Sequence, residues 1–483
     1  MRGKHDPASF TVIALFMFGT LLLLGCEGER GPAGPAGSGV EGVEYTYLGK
    51  NGENCKHCHE HLIATVANTK HTHAFEDLGA ANQTNLYCAQ CHTTGFDSEV
   101  AFGDTQILPE SYGPDLYGYD DYVGIGTPEA AQRRADLEGI QCESCHGPMG
   151  PEFNQNMPRV SFATGVDGDV SVSLCYPCHQ TQLDEWVDSG HGSVNGIDLE
   201  DFNEEFGRQP CAACHTSEGF SQSVDPALAS YEFEEYNFIG CPTCHDPHVG
   251  AADEGNAYQI RTLGPVEVLY APGFEPGDNG IPQMVDRGTG QVCAQCHHGR
   301  RNTSNVEGQI ANGTSHFGPH GSPQMDAYIG YGCYEIEGYD YDRVAAHQGI
   351  INSCVYCHMV REVEQHGELQ DHAFHSFEPD VGNCLPCHTL TDFNFHNIQT
   401  IVEEKMDELA VLLGFANLAA FLDHDIGFDS QADGVEVWER EAAYALVFSN
   451  NDGSRGVHNP EYIIDLLDNA ISYAQEKTRL AAR

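Results

Sequence analysis

The sequence Cys-x-x-Cys-His occurs nine times in this 483-residue chain, beginning at Cys55, Cys88, Cys142, Cys175, Cys211, Cys241, Cys293, Cys354 and Cys384. The second cysteines are Cys58, Cys91, Cys145, Cys178, Cys214, Cys244, Cys296, Cys357 and Cys387. Thiols three residues apart rise on one side of a helical turn. They can therefore reach the two vinyl groups of one haem as thioethers, and the histidine that follows comes beneath the iron. Zinc sites and redox dithiols share Cys-x-x-Cys, but neither requires a histidine directly after every pair. The reading is nine covalent haems c. Their proximal ligands are His59, His92, His146, His179, His215, His245, His297, His358 and His388.

What such a haem does depends on its sixth position. A second imidazole seals the iron for electron transfer, whereas an open position admits a substrate. The chain has 26 histidines, so after the proximal set and His5 enough remain to close every iron. An internal duplication guides the choice of ligand. His71 lies 16 residues after Cys55 and His191 lies 16 after Cys175, and each set continues alike, His92-Thr93-Thr94-Gly95-Phe96 beside His215-Thr216-Ser217-Glu218-Gly219-Phe220. The expected distal ligands are His71, His73, His191, His248, His316, His320, His347, His372 and His458. His248 is too near motif 6 to fold back on its own iron and is expected on a neighbouring haem. His57, His61, His298, His366, His375, His396 and His424 are read as surface or haem-edge residues.

The elements around these motifs divide the chain. Arg2 and Lys4 precede an apolar run from Phe10 to Leu24, too short to span a bilayer comfortably, so residues 1–25 read as an export signal. Leu23-Leu24-Gly25-Cys26 resembles a bacterial lipobox with Cys26 as the lipidated residue, and Glu27 in the next position resembles lipoproteins sent to the outer membrane. Residues 26–45 form a Gly/Pro-rich tether whose glycine period of three is collagen-like but too short for a triple helix. The expected haem-bearing units are 46–170 (motifs 1–3), 171–250 (motifs 4–6) and 251–396 (motifs 7–9).

Residues 397–483 read as helical. Ile398, Val402, Met406 and Leu409 recur at helical spacing, and Asn459-Pro460-Glu461 is a helix start leading into Ile463, Leu466 and Leu467. These helices are expected to pack over the last haems, or else to form a subunit contact. The acidic run Asp423, Asp425, Asp429 and Asp433 lacks EF-hand spacing, so a solvated loop is preferred to a calcium site. Cys333 is read as a buried, inert thiol.

Composition narrows the partners. The chain has 72 Asp and Glu against 22 Lys and Arg, a formal net charge of −50. That excludes the clustered basic surface a nucleic-acid binder needs and favours basic or cationic partners. The 53 glycines and 23 prolines argue for coil and short helices outside the C-terminal region, and porphyrin must supply much of the buried apolar mass.

Four segments, Cys88-Ala89-Gln90-Cys91-His92-Thr93-Thr94-Gly95-Phe96, Cys142-Glu143-Ser144-Cys145-His146-Gly147-Pro148, Cys354-Val355-Tyr356-Cys357-His358-Met359 and Gly456-Val457-His458-Asn459-Pro460, carry a family resemblance. The chain resembles the multihaem cytochromes c of the superfamily that contains the ammonia-oxidiser tetrahaem cytochrome, hydroxylamine oxidoreductase, octahaem tetrathionate reductase and cytochrome c nitrite reductase. The resemblance implies coil and short helices wrapped around haems stacked in parallel and perpendicular pairs. The chain departs from the enzymes in lacking the Cys-x-x-Cys-Lys motif of nitrite reductase.

The leading expectation is an exported, outer-membrane-associated lipoprotein, periplasmic or at the cell surface, that passes electrons to other cytochromes or to an extracellular acceptor. One alternative is a reductase of nitrite, hydroxylamine or tetrathionate at one five-coordinate haem. The other is a homo-oligomer or filament in which a histidine of one copy ligates an iron of the next.

Overall fold

The computed structural model describes residues 47–96, 118–148, 174–192, 209–249 and 256–483, apart from positions 54, 232, 234–235, 257, 366–367, 390–391, 424, 426 and 482. The export signal, Cys26, the tether, His5, His366 and His424 lie outside the described residues, as do the side chains of Cys58 and His372. The described part is mostly short helix and irregular backbone, with two small antiparallel sheets and a helical C-terminal region.

The first half is punctuated by motif turns. Helix α1 (Lys56–Val66) begins inside motif 1, and α2 (Lys70–Asp77) starts at Thr69, whose hydroxyl accepts the Thr72 N–H. Helix α3 (Gln180–Val187) follows motif 4, α4 (Gln209–His215) carries motif 5, and α5 (Ser217–Val224) is capped by the Thr216 hydroxyl accepting from Gly219 N–H at 3.0 Å.

The duplication seen in sequence is repeated atom by atom. The Thr93 hydroxyl donates to the Ala89 carbonyl at 2.8 Å, as the Thr216 hydroxyl does to Ala212 at 3.0 Å. One residue on, the Thr94 hydroxyl meets Ser144 at 3.0 Å and the Ser217 hydroxyl meets Thr243 at 2.6 Å. Both pairs are buried or half-buried, and each clamps the second motif of a set onto the third. A buried hydroxyl must find a partner or lose about 1–3 kcal/mol, so these hydroxyls fix which surfaces of consecutive motifs meet.

Strands β1 (Val266–Glu267) and β2 (Gln283–Met284) form a minimal antiparallel pair. Strands β3 (Val360–Gln365) and β4 (Glu368–Ala373) make a hairpin in the register Val360↔Ala373 to Gln365↔Glu368. This hairpin leaves motif 8 and returns beside it, where Phe374 N–H bonds to the Met359 carbonyl at 2.8 Å.

The largest apolar core is C-terminal. Helices α6 (Ile398–Leu412), α7 (Val437–Asp452) and α8 (Pro460–Ala481) pack on one another through Val402, Met406, Leu409, Leu446, Tyr462, Ile463 and Leu466, each at most 1% exposed. At about 1.5–3 kcal/mol for each large side chain removed from water, this cluster is the chief purely protein source of stability. Gly456, at φ +92°, lets the α7–α8 connection pass so close to α6 that a Cβ there would sit 2.9 Å from Val402 Cγ2. Cys333 is fully buried in the same core, and burial pushes its thiol well up. Among the described residues, no helix is long and apolar enough to cross a membrane.

Candidate functional site

Seven motif histidines each face a second imidazole. The ring centres are 6.1 Å apart for His146–His248, His179–His71, His297–His191 and His388–His347, 6.2 Å for His215–His320, and 6.3 Å for His245–His375 and His358–His458. Such rings do not touch, yet the spacing recurs within 0.2 Å at seven places in the chain. A metal–imidazole bond is about 2.0 Å, so two nitrogens on opposite sides of one metal stand about 4 Å apart, and ring centres roughly an ångström behind each give about 6 Å. The gaps therefore fit a haem iron held from both faces.

The rings are in the form such a bond needs. Burial first, and neighbouring imidazoles or arginines second, hold His71, His146, His191 and His320 down to about 4, so they are neutral at physiological pH. Hydrogen bonds at Nδ1 leave Nε2 for the gap: His245 to the Tyr258 carbonyl (2.8 Å), His347 to Val457 (2.9 Å) and His358 to Phe377 (3.0 Å), and unpaired His92 is held in the same way by the Ala74 carbonyl (2.5 Å). His458 is the strongest case, since its Nδ1 sits 2.6 Å from Oδ1 of the buried Asp452 carboxyl.

The pairing crosses the sequence in a regular way. His71, after motif 1, faces motif 4, and His191, after motif 4, faces motif 7. The equivalence of the two histidines thus extends to what they face. In the opposite direction, His248 reaches back from motif 6 to motif 3, and His375 reaches back from beyond motif 8 to motif 6. Local elements aim them. Ser189 accepts the His191 N–H at 3.1 Å, and the β3–β4 hairpin delivers His375, whose N–H is held by Glu185 at 2.8 Å.

Three expected distal residues are not part of these pairs. His73 is exposed with both ring nitrogens engaged, Nε2 with the Ala67 carbonyl (3.1 Å) and Nδ1 with Glu76 (3.2 Å). His316 is exposed and its Nδ1 meets the Ser315 hydroxyl at 3.1 Å. His372 lies on β4 opposite Arg361, and only its backbone is described. His375, read from sequence as a surface residue, takes a place in the array instead. The signal was the His-Ala-Phe-His spacing, in which the strand ends at Ala373 and frees the second histidine to turn inward. Among the described residues, no second imidazole faces His59 or His92.

The motifs also adjoin one another. Sulfur atoms approach within hydrogen-bond reach at Cys55–Cys142, Cys91–Cys178, Cys214–Cys296 and Cys293–Cys354, bringing together motifs 1 and 3, 2 and 4, 5 and 7, and 7 and 8. Cys145 lies near Cys175, Cys296 near Cys244, and Cys357 near Cys384, which brings together motifs 3 and 4, 6 and 7, and 8 and 9. His245 acts on His71 and His179, which joins motif 6 to motif 4. No motif stands apart. Motifs 4 and 7 are branch points, motif 4 adjoining motifs 2, 3 and 6 and motif 7 adjoining motifs 5, 6 and 8.

Beside motif 5, the Nε of Arg301 is buried without a hydrogen-bond partner, and the charges of Arg300 and Arg301 act on His320. An unpaired buried guanidinium N–H fits a carboxylate such as a porphyrin propionate. Among the described residues, no three His, Cys, Asp or Glu side chains converge on a separate metal ion.

Residues 335–483 match the cytochrome c552 family model. A 205-residue stretch, 36% of this chain and 60% of the relative, is 25% identical to the multiheme cytochrome MtrA of Shewanella baltica (strain OS185). Both sequence matches are cytochromes. Together with the motifs they support a multihaem c-type cytochrome carrying covalent haem c. This chain spans 60% of the length of that curated relative. Among solved structures it is similar to the outer cell wall cytochrome OcwA, with a TM-score of 0.44 and 17% identity over 89% of this chain and 99% of that one. It is also similar to an undecaheme cytochrome from the S-layer of Carboxydothermus ferrireducens, with a TM-score of 0.47 and 16% identity over 90% and 70% of the two chains.

Proposed function

We propose that the chain is an exported, lipid-anchored nonahaem cytochrome c that conducts electrons through a connected set of haems to a partner cytochrome or an extracellular acceptor at or beyond the outer membrane. The observation that carries this reading is the set of seven facing imidazole pairs at 6.1–6.3 Å. Bound haem supplies one-electron chemistry. At seven motifs the protein would hold the iron between two imidazoles, which would exclude substrate and keep the ligand set unchanged on reduction, and it places motifs side by side. The leader, the acidic surface and Cys26 favour an exported, tethered location.

The test is to purify the full chain and measure its haem content and its reactivity. Nine haems per chain by pyridine haemochrome, with rapid reoxidation by a soluble ferric chelate or a partner cytochrome, are expected. Three haems or fewer, or no electron exchange with either, would overturn the proposal.

A second reading rests on His59 and His92, which have no facing imidazole among the described residues. Where no histidine outside the described residues, such as His372, closes it, an iron there is either open to nitrite, hydroxylamine or tetrathionate, or closed by a histidine from another copy in a filament. Steady turnover of one of those substrates with a reduced dye would favour the first, and ordered filaments by microscopy the second.

A further inference from the structure

Phe377 has a backbone that phenylalanine rarely adopts. Its φ is +57°, in the left-handed region where a Cβ crowds the following carbonyl. Such strain persists only where surrounding contacts hold it, and here the contacts are ligand residues of three different motifs. The turn brings the Phe377 carbonyl to 3.0 Å from His358 Nδ1, behind the proximal ring of motif 8. It also sets the phenyl ring edge-on to His191, which faces motif 7, with centres 4.7 Å apart at 82°. The same ring lies 6.0 Å from His375, which faces motif 6, at 70°. Phe377 thus bonds one ligand ring, packs edge-on against a second and stands close to a third.

We propose that Phe377 is a positioning residue for electron transfer at one of the two branches of the haem array: its strained turn fixes the axial rings of haems 6, 7 and 8 relative to one another. The inference rests on the haem-conduction reading above. The turn is braced from both sides. Arg361 donates to the Glu378 carbonyl at 3.2 Å and stacks over Phe374, and Glu185, on the helix that leads to His191, holds the His375 N–H. A carbonyl at Nδ1 makes His358 a stronger donor to its iron and favours the ferric state. An edge-on aromatic restricts rotation of the His191 ring, and the plane of an axial imidazole shapes the low-spin spectrum of its haem. One residue thus sets the electron affinity of one haem and the ligand orientation of two others at a point where the path divides.

Three variants separate these roles in the full-length holoprotein. Phe377→Gly keeps the turn, because glycine takes positive φ without strain, and removes the ring. It is expected to broaden or shift the electron paramagnetic resonance signals of two bis-imidazole haems while leaving haem 8 in place. Phe377→Val keeps apolar bulk but disfavours the turn. It is expected to raise the potential of one haem by a tenfold shift in its one-electron equilibrium, 59 mV. Phe377→Tyr, which retains both ring and turn, is expected to match the wild type and so guards against a general folding defect. Spectra and redox titrations of the Gly and Val variants superimposable on the wild type, at full haem content, would overturn the proposal. Absence of bis-imidazole signals from the wild type would instead overturn the ligand reading beneath it, and this inference with it.

Discussion

At the scale of single residues, second partners of the imidazoles grade the array. Five receive a neutral backbone carbonyl at Nδ1 and His248 lies 3.4 Å from Asp246, but His458 receives the buried Asp452 carboxylate at 2.6 Å, which Ser454 also contacts through its N–H at 3.3 Å and its hydroxyl. A carboxylate partner pushes electron density onto the iron more than a carbonyl does, so haem 8 should be among the lowest in potential. Asp452→Asn is expected to raise one midpoint by on the order of 60 mV, a tenfold shift, in a spectroelectrochemical titration that leaves the others unchanged. Asp326 supplies a pH signature. It is 1% exposed, and burial pushes it from 3.8 to about 7 although the Gly299 N–H opposes that rise. Its folded pKa lies above its unfolded one, so the fold binds this proton more tightly, and the contribution is complete below about pH 4 and lost as pH rises toward 7. By linkage the loss is up to roughly 4 kcal/mol. Asp326→Asn, which keeps an acceptor for Gly299, should be more stable than the wild type at pH 8 and lose that advantage near pH 4 in paired denaturant titrations.

At the scale of elements, the cap of α8 couples the C-terminal core to the array. Asn459 Oδ1 accepts the Tyr462 N–H at 3.1 Å, and its amide donates to Arg343 O at 3.2 Å while fully buried. His458 precedes it directly, so the cap and the ligand move together. Asn459→Ala is expected to cost roughly 2 kcal/mol in thermal unfolding and to disturb haem 8 without altering haems 1 to 4. This element was readable beforehand. Asn-Pro-Glu before an apolar 3.6-residue period specifies a helix locally, and α8 begins at Pro460. Motif positions are equally local, because thioether chemistry dictates their spacing. The partners of the distal histidines are not. His71 lies 108 residues before His179, and the hydrophobic pattern around it carries no trace of that distance. The settings of His375 and His73 are equally non-local, since what decides them is where a hairpin ends and whether a helix turn leaves a ring nitrogen free.

At the scale of the whole molecule, the nine motifs form one connected set, with motifs 4 and 7 as branches. The acidity of −50, to which each haem would add two propionates, wraps this array in a negative field. Docking to a basic redox partner should therefore slow as salt rises, by tenfold or more between low and physiological ionic strength, in stopped-flow electron exchange. A rate independent of salt would point to apolar docking instead.

The central claim is that most of these irons are sealed by paired imidazoles, and spin quantitation of the fully oxidised protein by electron paramagnetic resonance tests it most directly. Four pairs have ring planes 75–82° apart and three lie at 22–43°. The account predicts low-spin ferric signals integrating to at least seven per chain, four of them of the strongly anisotropic kind given by crossed imidazole planes. A high-spin signal from three or more irons per chain would contradict it.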